Sequence, residues 1–278
     1  MTAPDDVCAV VLAAGLGTRL RPLTTILPKA LVPVGNVALL DRTLNRLAAA
    51  GLTGPRRVAV NAHHFAAMVA EHVGDRAHMS IEAGKPLGSA GAIGHLRQWI
   101  DGRAVLVINV DAYVAAPEGD LASLLDDWDG RVVRMFGRKA EDGHPPFGGL
   151  SFAGASLLPA ADAAALEASY SHLVLTTWRP AELAGRMEAI ALEGTYIDCG
   201  SPADYLAANM HAARGGNVIA PGAIVTGPVQ SSVIGGRATV AGALRRSVVW
   251  PDSQVAADET LSDAIRVGRE MTVEVTHA

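Results

Sequence analysis

Residues 7 to 29 constrain this chain more than any other stretch. Val7 to Leu12 is an apolar run that enters a loop of small residues, Ala13-Ala14-Gly15-Leu16-Gly17-Thr18, and fixed cations follow at Arg19 and Lys29. Small side chains let backbone N–H groups come close to a ligand, where a bulky residue would block them. A phosphate-rich ligand suits such a surface, because amide dipoles and cations both oppose its negative charge. A Gly-x-Gly alone would mean only a turn closing a strand. The arginine and the Pro28-Lys29 pair turn it into a phosphate-binding expectation.

Composition narrows the class. Half of the 278 residues are hydrophobic but only 4% are aromatic, so the core must be built of Ala, Val and Leu, which suits helices packed on a parallel sheet. A net charge of −5 gives no electrostatic reason to expect a nucleic acid or an anionic membrane as partner. Two cysteines, Cys8 and Cys199, cannot build a disulfide framework, and nothing has zinc-ligand spacing. Asp5 and Asp6 stand where a signal peptide would want positive charge, and no apolar run reaches membrane length, so a soluble cytoplasmic protein is expected.

The pattern downstream alternates. Helical spacing marks 41–50, 65–73 and a run from Gly88 through Trp99; strands are expected at 57–60, 79–82 and 104–110. This implies an α/β fold, a Rossmann-like, mostly parallel sheet with helices on both faces. Ligands in such sheets gather at the carboxyl ends of the strands, so the loops after Leu12, Val60, Glu82 and Val110 become the candidate site. From residue 120 the pattern loosens: helices are expected at 121–128, 160–169 and 202–213, and strands at 131–136, 147–152, 187–192 and 195–197. The stretch 137–149, with a Pro-Pro pair inside and two glycines at its end, reads as a substrate loop.

After Gly215-Gly216 the texture changes. Val218-Ile219-Ala220-Pro221, Val233-Ile234-Gly235-Gly236 and Val248-Val249-Trp250-Pro251 stand fifteen residues apart, as do Val225, Val240 and Val255, and also Ser232 and Ser247. Short valine-bearing strands at a fixed interval predict a short parallel β-helix, of the left-handed kind, over 215–278. So few coils bury little, so the tail is expected to pack on the larger domain (1–214) or on a neighbouring subunit, in a homo-oligomer.

Leu12-Ala13-Ala14-Gly15-Leu16-Gly17-Thr18-Arg19-Leu20-Arg21-Pro22-Leu23-Thr24 with Pro28-Lys29 resembles the signature of the sugar-1-phosphate nucleotidylyltransferases. Further likenesses follow in the family's order. Pro86-Leu87-Gly88-Ser89-Ala90-Gly91-Ala92 is similar to its base-binding loop. Asn109-Val110-Asp111 resembles its Asn-Gly-Asp metal motif, and Gly194-Thr195-Tyr196-Ile197-Asp198-Cys199-Gly200-Ser201-Pro202 its second metal segment. The resemblance implies that a nucleoside triphosphate and a sugar-1-phosphate give a nucleotide sugar and pyrophosphate by in-line attack on the α-phosphorus. It implies Arg19 on the β/γ-phosphates and Lys29 on the phosphates near the reacting centre. Asp111 and Asp198 would hold Mg²⁺, whose preference for hard oxygen ligands they meet. Leu12, Ala13, Ala14, Gly15, Gly17, Thr18 and Gly88 would approach the nucleotide, and Glu82, Asn109 and Gly149 the substrate.

One departure stands out. Many members of the family carry Glu-Lys-Pro mid-chain, with that lysine on the sugar phosphate, and this sequence has no such tripeptide. Arg138, Lys139 or Arg179 could supply the charge. His63-His64 reads as structural, since a sugar phosphate is already anionic and needs no base, and Cys199 reads as packing. The short middle region and Asn61-Ala62-His63-His64 resemble those of mannose-, heptose- and muramic-acid-1-phosphate enzymes, and the resemblance implies guanylyl transfer onto a mannose-type sugar phosphate. Cytidylyl transfer to a non-sugar phosphate or phosphonate, and a silent nucleotide-sugar-binding regulatory subunit, are the alternatives.

Overall fold

The apolar run at residues 7–12 becomes a strand, β1 (Val7–Leu12), with five of its six residues buried. Six strands join it: β2 (Val58–Ala62), β3 (His78–Ile81), β4 (Ala104–Asn109), β5 (Val133–Lys139), β6 (Leu150–Leu158) and β7 (Met187–Ala191). Their order across the sheet is β7-β5-β6-β4-β1-β2-β3. The pairs β1–β2, β1–β4, β2–β3 and β5–β7 are parallel, while β6 runs antiparallel to both β4 and β5. The computed structural model describes residues 6–139 and 147–276. Residues 140–146, the centre of the expected substrate loop, lie outside the described residues.

Contacts divide the chain into two units. One combines Met1–Leu16, Leu40–Val110 and Val114–Tyr196, and the other combines Gly17–Leu39, Asp111–Tyr113 and Ile197–Ala278. The change of texture after Gly215 therefore falls inside the second unit.

The first unit is the sheet with its helices. Helix α1 (Leu39–Ala49) carries Asp41 in its first turn and Arg46 in its last, both favourable to the helix dipole, and it buries Leu40 and Leu47. Helices α2 (Ala66–Val73) and α3 (Gly88–His95) follow their strands. The helix read through Trp99 stops at His95, and Arg97–Ile100 forms a separate turn. A core of Val10, Ile93, Val105, Val107, Met135, Leu158 and Trp178 fills the space between sheet and helices. Strand β6 runs to Leu158, well beyond the expected end at Phe152, and a π-helical turn at Val174–Trp178 was not expected at all.

The second unit opens with three short 3-10 turns, Thr18–Leu20, Leu23–Thr25 and Lys29–Leu31. Helix α4 (Pro202–Ala213) begins at Ser201, whose hydroxyl accepts the Asp204 N–H at 3.2 Å, an N-cap of the usual kind. The repeats after residue 216 form three stacks of short parallel strands, consistent with a β-helix. Val218 pairs with Val233, Val233 with Val248 and Val248 with Ile265; the second stack joins Val225, Val240 and Val255. A third stack joins Val229, Leu244 and Leu261, and Met271–Glu274 folds back antiparallel on Ala264–Val267 to close the end. Ser232 and Ser247 are fully buried because their hydroxyls serve the coils: Ser232 Oγ accepts the Ser247 N–H at 3.0 Å and Ser247 Oγ the Ala264 N–H at 3.3 Å. Among the described residues no helix is long and apolar enough to cross a membrane.

Tyr205 ties this unit together. Fully buried, it donates to the Pro33 carbonyl at 2.6 Å and accepts the Trp250 indole N–H at 2.9 Å. Burial pushes its phenol pKa up, so it stays a neutral donor. Tyr205→Phe would leave the part-buried Pro33 carbonyl and the buried Trp250 N–H without their partner. A loss of about 1–3 kcal/mol in urea denaturation is expected.

Candidate active site

The second unit gathers four of the expected residues. Gly17 takes a left-handed backbone, φ 61°, and a Cβ there would lie 2.8 Å from the Thr24 methyl, so only glycine makes this turn without displacing a neighbour. The Thr24 hydroxyl donates to the Gly17 carbonyl at 2.8 Å, and Leu20 and Leu23 anchor the turns beneath it with no exposure. The loop therefore holds Arg19 out toward solvent, its side chain 71% exposed, and turns Lys29 inward, at 9%. Lys29 Nζ lies 3.0 Å from Asp111 Oδ2 and 3.3 Å from Asp198 Oδ1, and Arg19 Nη2 lies 3.3 Å from Asp198 Oδ2. The Cys199 N–H donates to the Asp111 carbonyl at 3.0 Å, which brings the two aspartates together although 87 residues separate them in sequence.

Two half-exposed carboxylates closing on one point suit Mg²⁺. That ion asks for few protein ligands, keeps several waters, and shares the rest of its coordination with phosphate oxygens. Among the described residues no cluster of three or more His, Cys, Asp or Glu could hold a metal ion.

The first unit carries a different arrangement of its own. At the carboxyl ends of β1 and β2, the Ala13 N–H donates to Asn61 Oδ1 at 2.7 Å, and Asn61 Nδ2 donates to Glu82 Oε1 at 2.6 Å. The second carboxylate oxygen of Glu82 accepts the Leu87 N–H at 2.8 Å. Asn61 and Glu82 are 2% and 4% exposed, so this chain of bonds is internal and links the loop after β1 to the loop before α3. Both carboxylate oxygens of Glu82, expected on the substrate side, accept hydrogen bonds from protein donors. Asn61 was missed as a site residue. Its signal is its strand-end position, in register with Leu12.

Gly88 is held from the other side. Its φ is 74°, and a Cβ would fall 2.4 Å from the Ser171 carbonyl. Ser171 N–H donates to Leu87 O at 3.0 Å, Ala90 N–H to Ser171 O at 3.1 Å, and Leu173 N–H to Ser89 Oγ at 3.0 Å. The loop from 87 to 90 is thus pinned to 171–173, a contact no local pattern announces. Leu12 and Asn109 are register partners at the ends of β1 and β4; Ala13 and Ala14 are buried, and Gly15 is exposed with open space around it. Thr18 is exposed on the loop, and Gly149 is exposed just before β6.

The cations considered for the sugar phosphate are each engaged differently. Arg138 lies over the Tyr196 ring at 5.3 Å, Arg179 lies over Phe147 at 4.3 Å and pairs with Glu182, and Lys139 is exposed at the end of β5. Phe147 and Phe152 flank Trp178, whose indole nitrogen is buried and has no hydrogen-bond partner among the described residues. His63 Nδ1 lies 3.0 Å from the Glu82 carbonyl, a structural contact.

Cys199 adjoins the aspartates but is fully buried, and burial pushes its thiol up to about 12; Cys8 is raised to about 11 for the same reason. A raised thiol stays protonated at neutral pH and is no nucleophile. Iodoacetamide at pH 8 is therefore expected to leave both cysteines of the folded protein unmodified and to label both in urea, as read by intact mass.

The family model described as "Nucleotidyl transferase" matches residues 8–155. The chain is 41% identical over 112 residues to an N-acetylmuramate alpha-1-phosphate uridylyltransferase of Caulobacter vibrioides, covering 37% of this chain and 45% of that protein. It is 34% identical over 129 residues to a mannose-1-phosphate guanylyltransferase of Mycobacterium tuberculosis, covering 45% and 34%. The matches to these two curated relatives thus span less than half of their length. A glucose-1-phosphate thymidylyltransferase of Streptomyces antibioticus is 32% identical over 238 residues, covering 72% of this chain and 65% of that protein. In fold, the chain is similar to a crystal structure from Bacillus anthracis named as a glucose-1-phosphate thymidylyltransferase in complex with a sucrose. The TM-score is 0.65 at 15% identity, over 74% of this chain and 95% of that one. The match from Cys8, in β1, to Ala155, in β6, takes in the glycine loop, Arg19, Lys29, Gly88 and Asp111, more than half of the sequence, and on that ground the chain belongs to the nucleotidyl transferase family.

Proposed function

We propose that this protein is a sugar-1-phosphate nucleotidylyltransferase: it joins a nucleoside triphosphate to a sugar-1-phosphate and releases pyrophosphate. The observation that carries this reading is the meeting of Arg19, Lys29, Asp111 and Asp198 in one cluster. An oxygen of the sugar phosphate attacks the α-phosphorus and the bond to the β-phosphate breaks, so no covalent enzyme intermediate is needed. The protein's work is to align two anions and offset their charge. Arg19 binds the β- and γ-phosphates and steadies the pyrophosphate as it leaves; Lys29 binds near the reacting phosphorus. Asp111 and Asp198 hold Mg²⁺, which when bound supplies Lewis-acid neutralisation of phosphate charge.

Residues Leu12 to Gly15, with Gly17, Thr18 and Gly88, present backbone to the nucleotide. Asn61 and Glu82 fix the loops that carry those amides and act as positioning residues. Asn109 and Gly149 belong to the substrate side. The Arg138–Tyr196 pair offers a cation over an aromatic ring, a combination suited to a phosphosugar. For the donor and acceptor we favour GTP and a mannose-type sugar-1-phosphate, and the likeness to the M. tuberculosis guanylyltransferase supports this. The C. vibrioides uridylyltransferase supports UTP and an amino-sugar acid phosphate as the competing pair. Cytoplasmic location and homo-oligomerisation through the tail complete the reading; Ile219 and Ile224 on its first coil are exposed.

A Mg²⁺-dependent pyrophosphate-release assay with four NTPs against a panel of sugar-1-phosphates tests the proposal. Release with one pair and none without the sugar phosphate is expected. Nucleotide-sugar binding with no release from any pair would favour a regulatory subunit instead.

A further inference from the structure

We infer that the Lys29 ammonium and a divalent cation hold the same carboxylate pair in turn. With no nucleotide bound, Lys29 sits between Asp111 and Asp198, and it leaves that seat when the phosphates and the cation are taken up. The inference rests on the reading of these aspartates as the metal ligands and goes beyond it, since it concerns the order in which their charge is neutralised.

The geometry of Lys29 is the argument. Its ammonium lies 3.0 and 3.3 Å from one oxygen of each aspartate, so it occupies the point that a shared cation would need. Two carboxylates brought this close repel each other unless a positive charge lies between them, and one ammonium or one divalent ion can do that. Both cannot share the seat, because two cations a few ångströms apart would repel as strongly as the carboxylates do. The side chain is built to move at its head alone. Its stem is buried, with Lys29 Cβ close against the Gly17 turn, while the aspartates at its tip are 37% and 41% exposed and open to solvent. A lysine is a compact charge on a flexible four-carbon stem and can swing between acceptors, where an arginine fork would be fixed. Arg19 does not take over this function, since it pairs with Asp198 Oδ2 and not with Asp111, and its side chain is mostly exposed.

Two consequences follow. The nucleotide-free protein holds divalent metal weakly, because Lys29 already neutralises the site. A phosphate acceptor that draws Lys29 away frees both carboxylates, so nucleotide and metal binding reinforce each other through one side chain, and by linkage the effect is reciprocal.

The test is a Mn²⁺ titration of nucleotide-free protein followed by electron paramagnetic resonance, comparing wild type with Lys29→Met, Lys29→Arg and the double variant Lys29→Met/Asp111→Asn. Lys29→Met is expected to bind one Mn²⁺ about tenfold or more tighter than wild type. Lys29→Arg should bind no tighter than wild type, and the double variant should lose the gain. Thermal melting supplies a second readout. Lys29→Met should melt below wild type in EDTA, with the deficit recovered on adding Mn²⁺, whereas wild type should melt alike in both. Equal or weaker Mn²⁺ binding by a cooperatively folded Lys29→Met would overturn the exchange while leaving the metal site standing. If neither form bound Mn²⁺, with or without nucleotide, the metal site itself would be wrong and the exchange would fall with it.

Discussion

Replacing Arg19 by alanine is expected to lower kcat by about 10²–10³-fold, the usual consequence of removing one preorganised contact to charge that develops at a leaving group. The fold should survive the change. The Arg19 side chain is 71% exposed, and its ion pair to Asp198 at 3.3 Å is of the surface type that contributes little to stability. Leu20 and Leu23, which hold the loop down, are untouched. The loss should fall on kcat more than on the KM of the sugar phosphate, because Arg19 acts on the departing pyrophosphate. Steady-state kinetics beside a melting curve separates the two effects. A variant with near-normal turnover would mean that the loop binds phosphate without assisting its departure.

Asp111→Asn and Asp198→Asn form the second large expectation. Each removes one of the two negative charges that a divalent ion would share, and each should lower turnover by about 10²–10³-fold while raising the Mg²⁺ concentration needed for half-maximal rate. The double variant should be little worse than either single one, because the two side chains serve one ion and their losses do not add. Stability should respond less, since Lys29 keeps one carboxylate partner in each single variant. Losses that multiplied in the double variant would mean that the aspartates act separately.

The parts of the site that could be read from the sequence are those whose chemistry is written in one contiguous segment. The glycine loop, Arg19 and Lys29 lie within fifteen residues and announce phosphate by composition alone. Asp111 and Asp198 were readable as strand-end carboxylates; that they share Lys29 was not, because the contact joins positions 82 and 169 residues apart. The surroundings of Glu82 were hidden for a related reason. Its burial is decided by Asn61 and by the Leu87 amide, and neither partner is visible in a strand-end acid by itself. In the fold, β6 was read short because Ala153-Gly154-Ala155-Ser156 has poor strand propensity. Pairing with β4 on one side and β5 on the other outweighs that local preference. The tail was legible down to its serines, since a fifteen-residue interval fixes which side chains stack. The interleaving of residues 17–39 and 111–113 with the tail in one unit has no local signal at all.

The most direct measurement follows the label. With the NTP carrying ³²P at its α-phosphate and, in parallel, at its γ-phosphate, the protein is incubated with Mg²⁺ and the sugar-1-phosphate that supports pyrophosphate release. The α label should appear in a nucleotide sugar and the γ label in pyrophosphate, both in equal amount and both dependent on Arg19, Asp111 and Asp198. Transfer of the γ label to the sugar phosphate, or release of the α label as free nucleoside monophosphate with no nucleotide sugar formed, would contradict nucleotidyl transfer as the reaction of this site.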